Sequence, residues 1–317
     1  MLGWILHKNS DFLLHPETYE IQKLIEEGKK SGIQILVFQP EQIEIIVNRD
    51  DRKSILVNDS LVPLPDFIIP RMGAGTTYFA LALIRHLEKL GVYSFNSANS
   101  IDIVKDKLYQ LQILAESGMP IPRTMLAKFP VDLEIVGKHL GFPVVVKTIS
   151  GSHGSGVFLC ETLQSLDELM QMVENTTPKV NLIFQEFIKT SYGKDLRVVT
   201  VGGRVVGAML RTASDGNFKA NYSRGGTVQK FDITPEIEWL VLEIARKLDL
   251  DIAGIDLLFD NNGYKICEVN SSPGFEGLEL ACDKNIAMEI IQFVKYRLGM
   301  TSIGRSTYQH HVDNYFG

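Results

Sequence analysis

The stretch IAGIDLLFDNNGYKICEVN, residues 252–270, constrains the fold more than any other. Two apolar, β-branched runs flank DNNG, whose Asp, Asn and Gly favour a tight reversal, so the pair folds back as an antiparallel hairpin. A hairpin this apolar needs further strands or helices against it. Yet Asp256 interrupts the first run, and Glu268 and Asn270 interrupt the second, two residues apart and so on one strand face. If Asp256 stands opposite Glu268, all three polar side chains share that face. Facing carboxylates repel and are costly to desolvate, so they need a positive partner. Two readings fit these residues alone. Either the face is wet, or two carboxylates and an amide hold Mg2+ or Mn2+, hard cations that take oxygen ligands and leave positions for phosphate.

The preceding chain supplies the surroundings. Over the first hundred residues strand and helix patterns alternate: LGWIL, a helix from about 17 to 31, IQILVF, thin strands near 44–47 and 54–57, DFIIP, and a helix at about 78–90 before VYSFN. That grammar predicts a mostly parallel sheet carrying helices. A helix at about 103–116 stops at SGMPIP, the best candidate hinge. Beyond it come a helix at 131–140, the strand FPVVVK, a helix near 163–174 and the strand NLIFQEFI. Two Val-rich runs around Gly202-Gly203 then read as a hairpin. Helices are expected at about 235–248 and 279–298. The expected class is α/β followed by α+β, with units 1–100, 101–190 and 191–300 and a tail, 301–317, of no clear periodicity.

The 317 residues suffice for two or three such units, and 45% hydrophobic with 22% charged residues is an ordinary globular balance. A net charge of −6 argues against duplex nucleic acid as the main partner. Three dispersed cysteines suggest neither a disulfide framework nor a zinc site. The first residues carry too short an apolar run for a signal peptide, and no stretch reaches membrane-spanning length, so a reducing cytoplasm is expected.

Several other stretches bear on chemistry. KTISGSHGSGV (147–157) matches neither the Walker pattern nor a dinucleotide fingerprint, because its glycines sit between two strands. It reads as a hairpin loop whose backbone amides can approach phosphate, with Lys147 at its entrance, or as a plain flexible turn. Glu186 lies in an apolar strand. Arg197 and Arg211 also lie within strands, where guanidinium groups are expensive unless they meet anions. NYSRGG adds Asn221 and Arg224 in a polar loop.

From Leu2 to about Leu298 the chain resembles the ATP-grasp carboxylate–amine ligases, specifically the RimK-type glutamate ligases. PDFIIPRMG, RHLEKLG, DKLYQLQILAESGMPIP, FPVVVKTISGSHGSGV, FQEFIK, GKDLRVVTVGGRVVGAMLR, NYSRGG, IAGIDLL and CEVNSSPGFEGLE carry the resemblance, in that order. It implies an ATP-grasp fold with an N-terminal α/β (pre-ATP-grasp) domain, ATP held between two α+β subdomains, and two Mg2+ or Mn2+ ions. Lys107 and Lys147 then correspond to phosphate-contacting lysines, and Gly151, Gly154 and Gly156 to a lid over the phosphates. Glu186 and Phe187 match the adenine and ribose segment, with Asp195 and Arg197 close by. Lys219 and Asn221 fall in the third nucleotide-contacting stretch. Asp256, Glu268 and Asn270 correspond to the metal ligands. Arg211, with Lys147, is assigned to the transferring phosphoryl group.

The implied reaction passes the γ-phosphoryl of ATP to a carboxylate, and an amine then displaces phosphate from the acylphosphate. Ser272 in EVNSSPG stands where other branches carry a second Asn, which favours glutamate as the amine. The acceptor is then a protein C-terminus or another glutamate; the alternative is a small carboxylic acid or cofactor tail. Arg71, Arg224 and Ser272 are the candidate substrate residues, with Arg71 alternatively a domain-interface residue. The resemblance also suggests a homo-oligomer. A nucleotide-sensing protein on a disabled fold would lack lysines or ligands, and all are present. Asp256→Asn or Glu268→Gln is expected to abolish ATP turnover and leave the fold intact.

Overall fold

The computed structural model describes residues 1–8, 18–48, 54–149, 156–176, 180–214, 216–218, 220 and 225–299. The first unit comprises β1 (Leu2–Leu6), α1 (Thr18–Lys30), β2 (Gln34–Phe38), β3 (Ile43–Ile45), β4 (Ile55–Val57), β5 (Ser60–Leu61), β6 (Phe67–Pro70), α2 (Tyr78–Lys89) and β7 (Tyr93–Ser94). Strands β2-β1-β6-β7 form a wholly parallel sheet. Its central strands are apolar throughout, as burial on both faces requires: every residue of β6 is buried. The thin strands β3, β4 and β5 do not extend that sheet. They form a separate antiparallel one.

Where one helix is expected at 103–116, there are two, α3 (Ala98–Lys105) and α4 (Lys107–Glu116). Asp106 divides them. Its backbone is extended and its carboxylate accepts the amides of Leu108 and Tyr109, so it caps α4 instead of continuing α3. A second antiparallel sheet follows, built from β8 (Thr124–Leu126), β9 (Val144–Thr148), β10 (Val157–Cys160) and β11 (Leu182–Glu186) in the order β10-β9-β11-β8. Helices α5 (Leu133–Leu140) and α6 (Leu163–Thr176) bury Val136, Leu140, Leu166 and Met170 against it.

The last sheet runs β14-β13-β12-β15-β16. Its strands are β12 (Lys194–Val201), β13 (Arg204–Thr212), β14 (Thr227–Lys230), β15 (Ile252–Asp260) and β16 (Gly263–Asn270). The Gly202-Gly203 turn has φ of 58° and 73°, the paired positive values of the two-residue hairpin its sequence announces. Helix α7 (Pro235–Lys247) covers one face, together with Val104 of α3 and Leu114 of α4. The expected terminal helix is also two: α8 (Glu276–Cys282) and α9 (Ile286–Arg297). Asp283 takes the left-handed conformation at φ 50°, and Asn285 caps α9 by accepting the Met288 amide.

The parallel sheet and the five-stranded sheet share one continuous core, in which Ile5, Phe67 and Phe95 pack with Val199, Phe275 and Phe293. Among the described residues no helix is long and apolar enough to cross a membrane. A polar tie closes the edge of that core. Tyr93 donates to Asp251 at 2.8 Å, and Arg297 donates to the Tyr93 hydroxyl at 2.9 Å. Burial pushes the Asp251 carboxyl up to about 6, the Tyr93 hydrogen bond offsetting only part of the rise. A raised folded-state pKa means the folded protein holds the proton more tightly. Stability therefore falls as pH rises through about 4 to 6, by roughly 3 kcal/mol, and the cost persists above. Urea unfolding should show the wild type losing that amount relative to Asp251→Asn between pH 4 and 7. Parallel pH profiles would contradict this.

Candidate active site

The face of the five-stranded sheet turned away from α7 carries a row of charges beside the part covered by the shared core. Register sets Asp195 on β12 opposite Arg211 on β13, Arg197 opposite Asp256 on β15, and Asp256 opposite Glu268 on β16. Alternation puts all of them on the side away from α7. Arg197 donates to both oxygens of Asp256, from Nε and Nη2, at 2.7 Å each. Arg211 grips Asp195 at 2.6 and 2.8 Å and reaches Asp256 Oδ2 at 3.0 Å. Arg211 and Asp256 are only 4% and 5% exposed. Burial opposes ionisation of Asp256, but the two guanidinium groups outweigh it and hold the carboxyl below the usual range. Asp195 has one direct guanidinium partner, and burial raises its carboxyl.

One irregularity reshapes β16. Asp256 pairs with Glu268 but Leu257 with Ile266, so Cys267 is an extra, bulged residue. The bulge lets Ile266 and Val269, an odd number apart, both enter the core. It also turns Cys267 toward the charged face, where Lys147 Nζ lies 3.8 Å from its sulfur. Lys147 comes from β9 of the other sheet, is 8% exposed, and donates to Gln185 Oε1 at 2.8 Å. Lys107 is the first residue of α4, a place where a cation opposes the helix dipole, and its Nζ stands 3.6 Å from Glu268. Three carboxylates thus meet four cations, an excess of one positive charge suited to an anionic ligand.

The two sheets are tied beside this face. Glu186, at the end of β11, accepts from Arg123 Nε at 2.7 Å, the Arg123 amide at 3.0 Å and Lys265 Nζ on β16 at 2.8 Å. Burial alone would raise this carboxyl; Lys265 and Arg123 overcome it and bring it to about 2. Its oxygens are therefore engaged by protein, and the next residue, Phe187, lies edge-on to Tyr192. Arg71 is buried as well. It donates to the Pro273 carbonyl at 2.9 Å and lies over Phe275, so it is an interface residue, not one presented to solvent. Gly156 has φ 70° with Thr148 crowding the position a Cβ would take. Ser272 is half-buried, two residues beyond Asn270. Gly151, Gly154, Lys219, Asn221 and Arg224 lie outside the described residues.

Could Asp256, Glu268 and Asn270 hold a divalent cation? Among the described residues no three His, Cys, Asp or Glu side chains form a metal cluster; here the third donor is an amide. Of the four lone-pair positions on Asp256, the guanidinium groups use three, leaving one on Oδ1. Glu268 is partly exposed with Lys107 Nζ 3.6 Å away, and Asn270 has a buried Nδ2 with no hydrogen-bond partner among the described residues. Burial raises the Cys267 thiol and keeps a soft thiolate out of the set. An oxygen-only set with ligand positions to spare fits Mg2+.

Two family models match the chain: a RimK pre-ATP-grasp domain over residues 12–101 and a RimK-like ATP-grasp domain over residues 104–294. The chain belongs to the RimK-like ATP-grasp family. A probable alpha-L-glutamate ligase 2 of Shewanella sp. (strain W3-18-1) is 36% identical over 281 residues, spanning 88% of this chain and 92% of the relative. A probable alpha-L-glutamate ligase of Marinomonas sp. (strain MWYL1) is 34% identical over 282 residues, 89% of this chain and 93% of the relative. Among solved structures, the ATP-grasp ligase PsnB with a phosphomimetic precursor, Mg and ADP aligns with TM-score 0.71 at 18% identity, over 93% of this chain and 98% of its own. D-alanine–D-alanine ligase of Bacillus anthracis aligns with TM-score 0.66 at 17% identity, over 94% and 96%. This ATP-grasp chain is accordingly an enzyme, an ATP-dependent ligase.

The buried pairing revises one expectation. Asp256→Asn would leave two guanidinium groups short of their carboxylate, so it should cost about 3–5 kcal/mol of stability. The fold-neutral test is Glu268→Gln, whose side chain is partly exposed and whose lysine is 3.6 Å away. Urea unfolding should show the first variant strongly destabilised and the second within about 1 kcal/mol of wild type. Equal stabilities would mean the guanidinium pairs contribute little.

Proposed function

We propose that this ligase adds glutamate, through an acylphosphate, to a carboxylate supplied by a protein C-terminus or another glutamate. The observation that carries the reading is the charged face itself: Asp256, Glu268 and Asn270 in a row beside Arg211, Lys107 and Lys147, where two sheets meet. The identity to named glutamate ligases supports the amine. Residues 1–100 serve the acceptor, and 101–190 with 191–300 the nucleotide; the last seventeen residues have no assigned part.

A carboxylate resists aminolysis because oxide is a poor leaving group. Phosphoryl transfer from ATP converts that oxygen into phosphate, and the amine then attacks the acyl carbon and expels it. Nothing here requires a nucleophile from the protein, and catalysis rests on positioning and charge. Two Mg2+ or Mn2+ ions would neutralise the phosphates when bound, and Asp256, Glu268 and Asn270 would hold them. Lys147 and Lys107 attract the phosphates, each already aimed by a fixed neighbour, Gln185 and Glu268. Arg211 uses Nε and Nη2 on its carboxylates and keeps Nη1 for the transferring phosphoryl and the tetrahedral oxyanion. Glu186 and Phe187 line the adenine and ribose end through their backbone, since the Glu186 carboxylate is engaged. Asp195, Arg197, Lys219 and Asn221 complete the nucleotide contacts in this reading. The loop with Gly151, Gly154 and Gly156 excludes water from the acylphosphate. Arg224 and Ser272 are assigned to recognition of the joined acids.

The test is ADP release with products read by mass spectrometry. Glutamate with a peptide ending in Glu, or glutamate alone, should stimulate ADP release and give products heavier by one glutamyl residue or more. Glu268→Gln should abolish both. Turnover only with a free non-amino carboxylic acid would replace the acceptor class, and full activity in Glu268→Gln would overturn the metal assignment.

A further inference from the structure

The segment after Glu268 is held in an unusual way. Val269, the last core residue of β16, gives its amide to Gln110 Oε1 at 2.8 Å. Two residues on, the Ser271 carbonyl accepts from Asn96 Nδ2 at 2.7 Å. Another two on, the Pro273 carbonyl accepts from Arg71 Nη1 at 2.9 Å. Then the amides of Phe275 and Glu276 both reach Glu20 Oε1, at 2.9 and 3.3 Å. Four odd-numbered residues in succession are tied by side chains from four separate segments of the first 110 residues: α1, the residue after β6, the bend after β7 and α4. Those side chains are all buried: Gln110 and Asn96 are 1% exposed, Glu20 3% and Arg71 4%.

Three of the anchors are themselves held by neighbours. Gln110 donates its amide to the Val104 carbonyl at 2.8 Å. Asn96 donates to the Ile252 carbonyl at 2.8 Å and accepts the Ile252 amide at 2.9 Å, which locks it to the neighbouring strand β15. Arg71 lies over the ring of Phe275. Burying four polar side chains is expensive, and bulk packing would be served as well by apolar residues. What the arrangement gains is register. With the backbone of 269, 271, 273 and 275 held, the intervening Asn270 and Ser272 are fixed in position beside Glu268.

We infer that Glu20, Arg71, Asn96 and Gln110 are positioning residues for the metal and substrate end of the site, through which the first domain, together with α4, sets the placement of Asn270 and Ser272. This rests on the reading of Asn270 as a metal ligand. Groups that orient ligands from behind typically change metal affinity by about 10–100-fold when altered.

The experiment titrates Mn2+ against the full-length enzyme, with and without ADP, by electron paramagnetic resonance, alongside kcat, the KM for ATP and thermal unfolding. The variants are Arg71→Lys and Asn96→Asp; Arg71→Lys keeps charge and bulk, so it should fold if Asn96→Asp does not. Tyr93→Phe is the structural control, since it weakens the same interface without touching 269–276. The expected result is Mn2+ affinity weaker by about tenfold or more in the positioning variants, with metal-free ADP binding unchanged, while Tyr93→Phe lowers Tm and leaves Mn2+ affinity alone. Wild-type Mn2+ affinity in folded Arg71→Lys, or equal weakening in Tyr93→Phe, overturns the inference. Asn270→Ala separates it from the reading beneath: if that variant binds Mn2+ normally, the metal assignment fails. If it loses Mn2+ while Arg71→Lys does not, only the positioning role fails.

Discussion

Two carboxylates and two guanidinium groups, Asp195, Asp256, Arg197 and Arg211, lie side by side on one sheet face, and their mutual neutralisation is what allows the site to be built there. None could be buried alone. Together they form a lattice in which every charge meets its opposite across a strand pair, so strand register and ion pairing enforce each other. That rigidity matters because phosphoryl and acyl transfer are governed by placement. A carboxylate that accepts two guanidinium groups has little freedom left, and an arginine locked by two carboxylates presents one fixed edge.

The same economy appears between the units of the chain. The parallel sheet does not hang on the five-stranded sheet by a linker; they share a core around Phe95, Phe275 and Phe293. The sheet bearing Lys147 meets them more lightly, through the Glu186 tie to Lys265, the approach of Lys147 to Cys267 and the Pro120 carbonyl bound by the Ile266 amide. One part of the site is therefore set by a solid interface and the other by a few polar contacts, a division suited to a ligase that must admit ATP and then enclose it.

Much of this was legible in the sequence. The 252–270 hairpin, the Gly202-Gly203 turn and the alternating first unit follow from local pattern, and the shared face of Asp256, Glu268 and Asn270 follows from period-two geometry. The bulge at Cys267 was not legible, because strict alternation was carried through it and only the burial of both Ile266 and Val269 reveals the slip. The breaks at Asp106 and Asp283 were hidden because apolar periodicity runs across them and only the caps differ. Glu186 read as a free acceptor because its partners, Arg123 and Lys265, are 63 and 79 residues away. Glu20, Asn96 and Gln110 gave no signal at all. A polar residue in a helix or at a strand end reads as surface until the chain 156 to 255 residues later is folded against it.

Oxygen transfer from the acceptor carboxylate reports directly on the acylphosphate proposed at this charged face. Acceptor labelled with 18O in its carboxylate, incubated with ATP, Mg2+ and glutamate, is predicted to release inorganic phosphate carrying one 18O atom per bond formed, along with ADP. Unlabelled phosphate, or label recovered in AMP, would contradict phosphoryl transfer to the carboxylate.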